Sequence, residues 1–317
     1  MTKVFIDGSE GTTGLRIRER LEGRSDIQLL QIDPELRKDT AARRELLNAA
    51  DVAILCLPDA AAVEAVSLVD NPNTVVLDAS TAHRTAPGWQ YGFAELGKEF
   101  RQGIAAGKRV ANPGCHASGF LALARPLVQC GLMPADYPAV CHSLTGYSGG
   151  GKKMIAQYQD ENRDGLLQSP RQYGLSQSHK HQPEMQAYSG LAYTPVFNPI
   201  VADFYAGMEV SLPLIGRLLT KPVTPDEVRN IYKEFYAGCR LVQVAEADDE
   251  RYVQGGFAAA NVLAGSDGMV LCVTGNADRI QVMALFDNLG KGASGAAVQN
   301  LNIIMGADEA AGLVPLP

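Results

Sequence analysis

The sequence lacks three features that would each define a class of protein: an apolar run of membrane-spanning length, a C-x-x-C pair, and an excess of basic residues. With no such run and no secretory leader at "MTKVFIDGSEG", we expect a soluble, cytoplasmic protein that does not contact membranes. The formal net charge of −7 argues against nucleic acid as a partner, because proteins that bind the phosphate backbone need a basic face. Internal repeats, low-complexity tracts and a Pro-rich linker are also missing.

The composition is that of a globular protein, with 317 residues, 46% hydrophobic and 20% charged, which is long enough for two domains. The first part alternates strand-like and helical patterns in a βαβαβαβ order, which is typical of an α/β, Rossmann-like doubly wound parallel sheet. Longer strand patterns then predict an α+β domain with a mainly antiparallel sheet. We predict a dinucleotide-binding domain over 1–114, a catalytic and oligomerisation domain over 115–286, and a C-terminal segment over 287–317 that packs back on the first domain.

A glycine-rich turn, "GSEGTTG", joins the first strand to the first helix. Gly8, Gly11 and Gly14 allow a tight turn and close backbone approach, so a pyrophosphate can sit on the helix N-terminus. The spacing is one residue longer than the G-x-G-x-x-G fingerprint, but its place in a βαβ unit favours nucleotide binding. The predicted cofactor contacts in this turn also include Ser9, Thr12 and Thr13.

The end of the second strand, "LLQIDPELRKD", leaves the choice of nicotinamide cofactor open. Asp33 can bond a ribose 2′-hydroxyl, which favours NAD. Arg37 and Lys38 can pair with a 2′-phosphate, which favours NADP.

Of the six cysteines, several lie inside apolar runs, as Cys56 and Cys272 do, and we expect these to be core thiols. Cys115 is different, because in "ANPGCHASG" it follows a turn that leads from a strand into a helix. A helix N-terminus favours the thiolate, which is the nucleophilic form, and this edge of an open α/β sheet is where ligands bind. We predict that Cys115 is a nucleophile.

The stretch "SHKHQPE" holds His179, His181 and Glu184, close enough for an imidazole base to be oriented by a carboxylate. The alternatives are surface histidines or a zinc pair. We expect no metal, because no further cysteine or histidine has ligand spacing. His116 is expected to pack on its helix and His142 to lie within a strand.

Two further segments can bind anions. In "TGYSGGGKK", a flexible loop is expected in which backbone amides, Ser148 and Lys152 hold phosphate oxygens, or which only joins two strands. In "DASTAHR", Ser80 and Arg84 follow the fourth strand, where a guanidinium can take a carboxylate or phosphate, or form a surface ion pair.

The chain resembles the N-acetyl-gamma-glutamyl-phosphate reductases of arginine biosynthesis, in their shorter subclass, over nearly its whole length. The resemblance is carried by the segments already quoted and by "DNLGKGASGAAVQNLNIIMG" near the C-terminus. Aspartate-semialdehyde dehydrogenases have a similar layout but usually carry Asn-Cys-Ser/Thr at the nucleophile, where this chain has Pro-Gly-Cys-His. The resemblance implies a glyceraldehyde-3-phosphate dehydrogenase-like fold and a homo-oligomer, a dimer or tetramer, formed through the second domain's sheet.

The resemblance also implies a reaction, the NADPH-dependent reduction of N-acetyl-L-glutamyl 5-phosphate to N-acetyl-L-glutamate 5-semialdehyde and phosphate. Cys115 would form a thioester, with His179 as the first choice of acid/base, His181 as the second, and Glu184 orienting one of them. Implied substrate contacts are Arg84, Asn112, Ser148, Gly149 and Lys152, and implied cofactor contacts besides the turn are Arg37, Lys38, Ser80, Asn288 and Gly292. Two alternatives stay open: a reductase of another acyl phosphate such as aspartyl phosphate, and a catalytically inactive NADP-binding regulator.

Overall fold

The computed structural model describes residues Met1–Pro317 and divides the chain into two compact units. Unit 1 comprises Met1–Pro113 and Ala293–Leu313, and unit 2 comprises Gly114–Gly292 and Val314–Pro317. The segment 287–317 is therefore divided between the two units. No helix in the structure is long and apolar enough to cross a membrane.

Unit 1 contains a six-stranded sheet and helices that cover both of its faces. The strands are β1 (Thr2–Asp7), β2 (Ile27–Leu30), β3 (Val52–Leu55), β4 (Val75–Asp78), β5 (Gln90–Tyr91) and β6 (Arg109–Ala111). Their order is β2-β1-β3-β4-β6-β5, and every neighbouring pair is parallel. The helices of the first part are α1 (Thr12–Leu21), α2 (Thr40–Ala49), α3 (Asp59–Ser67) and α4 (Lys98–Ala106).

The two faces of this sheet bury different side chains. Val4 and Ile54 belong to a cluster that includes Ile17 of α1, whereas Phe5 and Leu55 belong to a second cluster with α2 and α3. Because neighbouring strand residues point to opposite faces, two covered faces require continuous apolar runs such as "VAIL" in β3. The predicted doubly wound parallel sheet is confirmed.

Unit 2 contains a seven-stranded mixed sheet and a short hairpin. The strands in chain order are β7 (Val140–Gly146), β8 (Arg171–Gln172), β9 (Val196–Ala202), β10 (Met208–Ile215), β11 (Val242–Val244), β12 (Val253–Gln254), β13 (Phe257–Ala258), β14 (Met269–Asn276) and β15 (Arg279–Phe286). The sheet order is β11-β14-β15-β10-β7-β9-β8, and β12 and β13 pair as the hairpin. The β7–β9 and β11–β14 pairs are parallel and the other pairs are antiparallel, as a mainly antiparallel sheet requires.

Four helices belong to unit 2: α5 (Cys115–Gln129), α6 (Gly151–Gln159), α7 (Gln182–Ser189) and α8 (Pro225–Phe235). After a π-helical turn over Gly290–Ser294, the chain forms α9 (Gly295–Met305), which buries Val298 and Leu301 in the core of unit 1.

Helix α5, which begins at Cys115, packs closely on the sheet of unit 2. A Cβ at Gly119 would collide with Val210 of β10, so the glycine lets the helix approach the strand. Pro126 lies inside the helix, and its missing N–H leaves the carbonyl of Ala122 without a helical donor. The hydroxyl of Tyr236 donates to this carbonyl at 2.8 Å. The interior of α5 therefore accommodates a proline without losing the hydrogen bond.

The segment "TGYSGGGKK" is not the flexible loop that the sequence predicts. β7 runs to Gly146, a 3-10 turn follows, and α6 begins at Gly151. The N–H groups of Gly146, Tyr147 and Ser148 donate to carbonyls of the segment between β9 and β10, at 2.9–3.0 Å. These three amides are therefore committed to the fold and do not serve as phosphate donors.

Candidate active site

Cys115 is the first residue of α5, directly after Gly114, which has an extended backbone with φ −82° and ψ 145°. The thiol is partly exposed. Burial raises the pKa of the Cys56 and Cys272 thiols to about 12, so these cysteines are protonated core residues. Among these thiols Cys115 has the position that stabilises a thiolate, since the N–H groups of a helix start and the helix dipole favour negative charge.

Glu184 fixes the turn that carries the thiol. Its carboxylate, 1% exposed in the first turn of α7, accepts a hydrogen bond from the backbone N–H of Gly114 at 3.0 Å. This contact is with Gly114, the residue before Cys115, and an orienting role of Glu184 toward a histidine stays a prediction. This charge-assisted bond joins α7 to the start of α5.

A thiol and two imidazoles meet at this helix start. The ligand atoms of Cys115, His116 and His181 lie within 4.8 Å of one another. His181 is buried, and the rings of His179 and His181 have their centroids 4.9 Å apart. The sequence left the choice between these two histidines open, and the structure brings His181 into direct proximity with Cys115.

His179 is held by its own turn. Its Nδ1 accepts a hydrogen bond from the backbone N–H of His181 at 3.2 Å, so the neutral ring carries its proton on Nε2. Its backbone N–H donates to the side chain of Gln182 at 2.7 Å.

His116 is a site residue that sequence reasoning missed. It does not simply pack on its helix: Nδ1 is hydrogen-bonded to Ser143 Oγ at 2.6 Å and Nε2 to the hydroxyl of Tyr173 at 2.7 Å. Burial, and secondarily the electrostatic effect of the neighbouring His179 and Lys180 side chains, lowers the pKa of His116 to about 3, so the ring is neutral at neutral pH.

Tyr173 is a second residue near Cys115 that the sequence does not single out. Burial, with a further contribution from the charge of Cys115, raises the pKa of its hydroxyl, which is therefore a protonated donor. Its ring lies 5.8 Å from that of His179, centroid to centroid. No local pattern marks this tyrosine, because it reaches the site from the residues after β8.

Gly292 lies against Cys115. A Cβ at this position would come within 2.8 Å of Cys115 Cβ, so a side chain there would push on the thiol. Asn288 and Ser148 are buried as a pair: the Asn288 amide donates to Ser148 Oγ at 3.0 Å and accepts from the N–H of Gly207 at 2.9 Å. Gly149 and Lys152 are exposed.

In unit 1, the glycine-rich turn has the geometry of an anion cradle. Gly8 has φ +86°, and a Cβ there would collide with the carbonyl of Cys56. A Cβ at Gly14 would lie 2.5 Å from the carbonyl oxygen of Gly8. Gly11 is the N-cap of α1, and neither a side-chain cap nor an acidic residue occupies the first turn, which contains Thr12 and Thr13. The N–H groups of this turn are thus suited to a pyrophosphate.

Beside this turn is a cavity of about 180 Å³, lined by apolar residues of β1 and β2 and by Ser9, Arg18 and Arg37. Asp33 is exposed, and its carboxylate accepts a hydrogen bond from the N–H of Glu35 at 2.9 Å. Lys38 is exposed and is not among the residues that line the cavity. The charged groups that line the cavity are therefore the guanidinium groups of Arg18 and Arg37, which form ion pairs with Glu22 and Glu10, respectively.

Ser80 is tied to a buried carboxylate at the end of β4. Asp78 accepts from Ser80 Oγ and from His83 Nδ1, both at 2.6 Å. The ring of His83 stacks on Trp89 at 4.1 Å between centroids. The hydrogen bonds of Ser80 and His83 to Asp78 therefore fix the loop after β4.

Arg84 and Asn112 are connected within unit 1. Arg84 is 8% exposed, and its Nε donates to the carbonyl of Asn112 at 3.0 Å. The Asn112 side chain accepts from Asn300 and donates to the carbonyl of Ala293, each at 3.0 Å. Helix α9 thus fixes the residue that holds Arg84.

The sequence and the fold are both similar to those of known proteins. Residues 115–288 match the family model described as semialdehyde dehydrogenase, dimerisation domain. The fold is similar to an aspartate semialdehyde dehydrogenase from Francisella tularensis (TM-score 0.71, 14% identity, covering 96% of this chain and 100% of that one). It is also similar to aspartate semialdehyde dehydrogenase II from Vibrio cholerae (TM-score 0.70, 13% identity, covering 96% and 98%).

The sequence is 46% identical to an N-acetyl-gamma-glutamyl-phosphate reductase from Burkholderia ambifaria over 97% of both chains. It is 48% identical to one from Brucella ovis over 96% of this chain and 99% of that one. The fold and the thiol site thus define a semialdehyde dehydrogenase-type oxidoreductase that uses a nicotinamide cofactor. Within this class, the chain belongs to the N-acetyl-gamma-glutamyl-phosphate reductase family.

Proposed function

We propose that this protein reduces N-acetyl-L-glutamyl 5-phosphate to N-acetyl-L-glutamate 5-semialdehyde and phosphate, in arginine biosynthesis in the cytoplasm. The observation that carries the proposal is the position of the Cys115 thiol at the N-terminus of α5. A ring nitrogen of His181 lies within 4.8 Å of its sulfur. The names of the relatives with 46–48% identity support this substrate over aspartyl phosphate.

The proposed reaction has two stages at the sulfur of Cys115. The thiolate attacks the acyl carbon, an S–C bond forms, and the C–O bond to phosphate breaks, which leaves a thioester. The reduction of this thioester requires a hydride, which NADPH would supply when bound at the glycine-rich turn of Gly8, Gly11 and Gly14. The C–S bond of the resulting thiohemiacetal then breaks as its hydroxyl gives up a proton, so that the aldehyde leaves and the Cys115 thiolate is regenerated. A thiolate suits both stages because it attacks readily and leaves readily.

We assign the proton transfers to His181, because its ring nitrogen lies near Cys115 and the ring is buried. Glu184 holds the turn before the thiol through Gly114. Arg84, with its charge near the end of the parallel sheet, and Lys152 are the proposed cationic groups for the phosphate or carboxylate of the substrate. Ser148, Gly149 and Asn112 are proposed as neighbours of that substrate.

For the cofactor we propose NADP(H). The glycine cradle fits a pyrophosphate, and the cavity beside it carries Arg18 and Arg37, which suit a 2′-phosphate. Asp33 caps its own turn, which supports NADP over NAD. Residues 115–288 match the model of a dimerisation domain. This match supports a homo-oligomer, a dimer or tetramer, that forms through unit 2.

The test is a steady-state assay of the reverse reaction with N-acetylglutamate semialdehyde or aspartate semialdehyde, phosphate, and NADP or NAD. We expect turnover with the N-acetylated substrate and NADP. Cys115→Ser should lose at least about a thousandfold in rate, which corresponds to roughly 4 kcal/mol on the barrier. Preferential turnover of aspartate semialdehyde, or activity of Cys115→Ser near that of the wild type, would reject the proposal.

The two histidines are compared in the same assay. His181→Asn should lower kcat by at least about a hundredfold, the usual range for a general acid or base, and His179→Asn should lower it less. The reverse order would move the acid/base role to His179.

A further inference from the structure

Three side chains near the start of α5 could bind a metal ion: the thiol of Cys115 and the buried imidazoles of His116 and His181. Cys115 and His116 are consecutive residues of α5, and His181 comes from the turn before α7. One sulfur and two imidazole nitrogens, all within 4.8 Å of one another, are a donor set that zinc prefers. Magnesium and calcium prefer oxygen ligands and do not suit it.

We propose that Cys115, His116 and His181 bind one Zn²⁺ ion, and that this ion reversibly inhibits the enzyme. A tetrahedral zinc ion holds sulfur and nitrogen ligands roughly 3.5 Å apart, given bond lengths of about 2.3 and 2.0–2.1 Å. The cluster would therefore contract by about 1 Å, through movement of the two histidine rings as well as of the Cys115 side chain, since the 4.8 Å limit applies to every pair of ligand atoms. Three protein ligands leave the fourth position to water.

The hydrogen bond at Nδ1 of His116 is of the kind that orients a zinc ligand. A ligating histidine usually hydrogen-bonds through its second ring nitrogen, which fixes the orientation of the ring. Here Ser143 holds Nδ1 at 2.6 Å, and Nε2 is bonded to the hydroxyl of Tyr173 at 2.7 Å. In the zinc-bound form Nε2 coordinates the ion and Tyr173 gives up this bond.

Zinc binding opposes catalysis because the ion withdraws electron density from the sulfur and occupies the space next to it. On binding, the Cys115 thiol loses its proton to solvent and an S–Zn bond forms, so no oxidant or reductant is needed. The coordinated sulfur is a much weaker nucleophile, so it attacks an acyl carbon or reacts with an alkylating agent far more slowly. The binding itself rests on the geometry alone, and only the inhibition rests on the proposed function.

The direct test uses Co²⁺ as a spectroscopic probe with the full-length protein. One equivalent per chain should give the visible bands of tetrahedral cobalt and a thiolate-to-cobalt charge-transfer band, and Zn²⁺ should abolish both. Zn²⁺ should also protect Cys115 from iodoacetamide, as read by mass spectrometry of its peptide, and a chelator should restore alkylation. These readouts do not require turnover, so they separate this proposal from the proposed reaction.

The ligand assignment is tested by His116→Asn and His181→Asn, each of which should weaken Zn²⁺ binding at least about tenfold. Matched controls are Cys130→Ser and His142→Asn, which change an exposed thiol and an exposed imidazole of the same unit. These controls should leave affinity and reductase activity unchanged. Unfolding midpoints show whether each variant is folded.

Tyr173→Phe keeps all three ligands and removes the hydroxyl that competes for His116 Nε2. We expect tighter Zn²⁺ binding in this variant. Weaker binding, an affinity that is the same in His116→Asn as in the wild type, or no charge-transfer band would each overturn the proposed site.

Discussion

Gly292 limits the space beside Cys115, the proposed nucleophile. A Cβ at this position would lie 2.8 Å from Cys115 Cβ, a distance that real Cβ atoms essentially never show, and a tight 3.2 Å from the carbonyl of Asp287. Because a sub-ångström displacement of a nucleophile is costly, we expect Gly292→Ala to lower kcat at least about tenfold. The measurement is kcat together with the rate of Cys115 alkylation.

The matched control is Gly165→Ala in the same unit, where an added Cβ meets no atom within 4 Å. This variant should keep both rates. If Gly292→Ala is as active as Gly165→Ala, the close approach to Cys115 does not matter for function.

Arg37 and Lys38 are neighbours in the sequence that differ in their surroundings. Arg37 lines the cavity beside the glycine turn, and Lys38 does not. Arg37→Ala should raise KM for NADPH about tenfold or more, equivalent to about 1.4 kcal/mol, and change KM for NADH little. Lys38→Ala is the control and should affect KM for NADPH less. Equal effects of the two variants would contradict a phosphate site in this cavity.

The sequence predicts the thiol at a helix start well, because Asn-Pro-Gly before an apolar helix is a local pattern. It does not predict the roles of His116 and Tyr173, since their contacts join α5, β7 and the segment after β8. It also does not predict the partner of Glu184, because that partner is a backbone N–H on another element. Local patterns show which residues can react, and tertiary packing decides which ones meet.

At the scale of elements, α5 shows how packing replaces what a proline removes. Tyr236 of the segment after α8 donates to the carbonyl of Ala122, which Pro126 leaves without a helical donor. Tyr236→Phe should lower the free energy of unfolding by about 1–3 kcal/mol, the cost of an unpaired buried carbonyl. Urea titration measures this change.

The effect of Tyr236→Phe should shrink in a Pro126→Ala background, where residue 126 supplies its own N–H to the helix. The control is Tyr193→Phe, which removes a hydroxyl from a side chain that is 69% exposed. This variant should leave the free energy of unfolding unchanged. A loss in Tyr236→Phe that is the same in both backgrounds would contradict this account.

Elements with a strong periodic pattern could be predicted from the sequence, and those set by long-range hydrogen bonds could not. The apolar run "VAIL" predicted β3 because both of its faces are covered. The glycines in "TGYSGGGKK" suggested a loop, yet the amides of Gly146, Tyr147 and Ser148 are bonded to a distant segment. Glycine content shows which backbone shapes are allowed and does not show which partners the backbone finds.

At the scale of the whole molecule, the proposed cofactor cradle and the proposed nucleophile belong to different units of the fold. The glycine cradle lies in unit 1, whereas Cys115 begins α5 of unit 2. We therefore expect NADP to stabilise Cys115→Ser as much as the wild type, by about 2.7 kcal/mol at a hundredfold excess over Kd. Thermal unfolding with and without NADP measures this. A Cys115→Ser variant that NADP does not stabilise would show that the thiol is needed for cofactor binding.

The most direct test of the thioester at Cys115 is a single-turnover experiment without phosphate. Enzyme, N-acetylglutamate semialdehyde and NADP should give a burst of one NADPH per active chain, and the Cys115 peptide should carry one acyl group. Added phosphate should remove that group and start steady turnover. The absence of a burst in active enzyme, an acyl group on another residue, or the same burst from Cys115→Ser would contradict covalent catalysis by this sulfur.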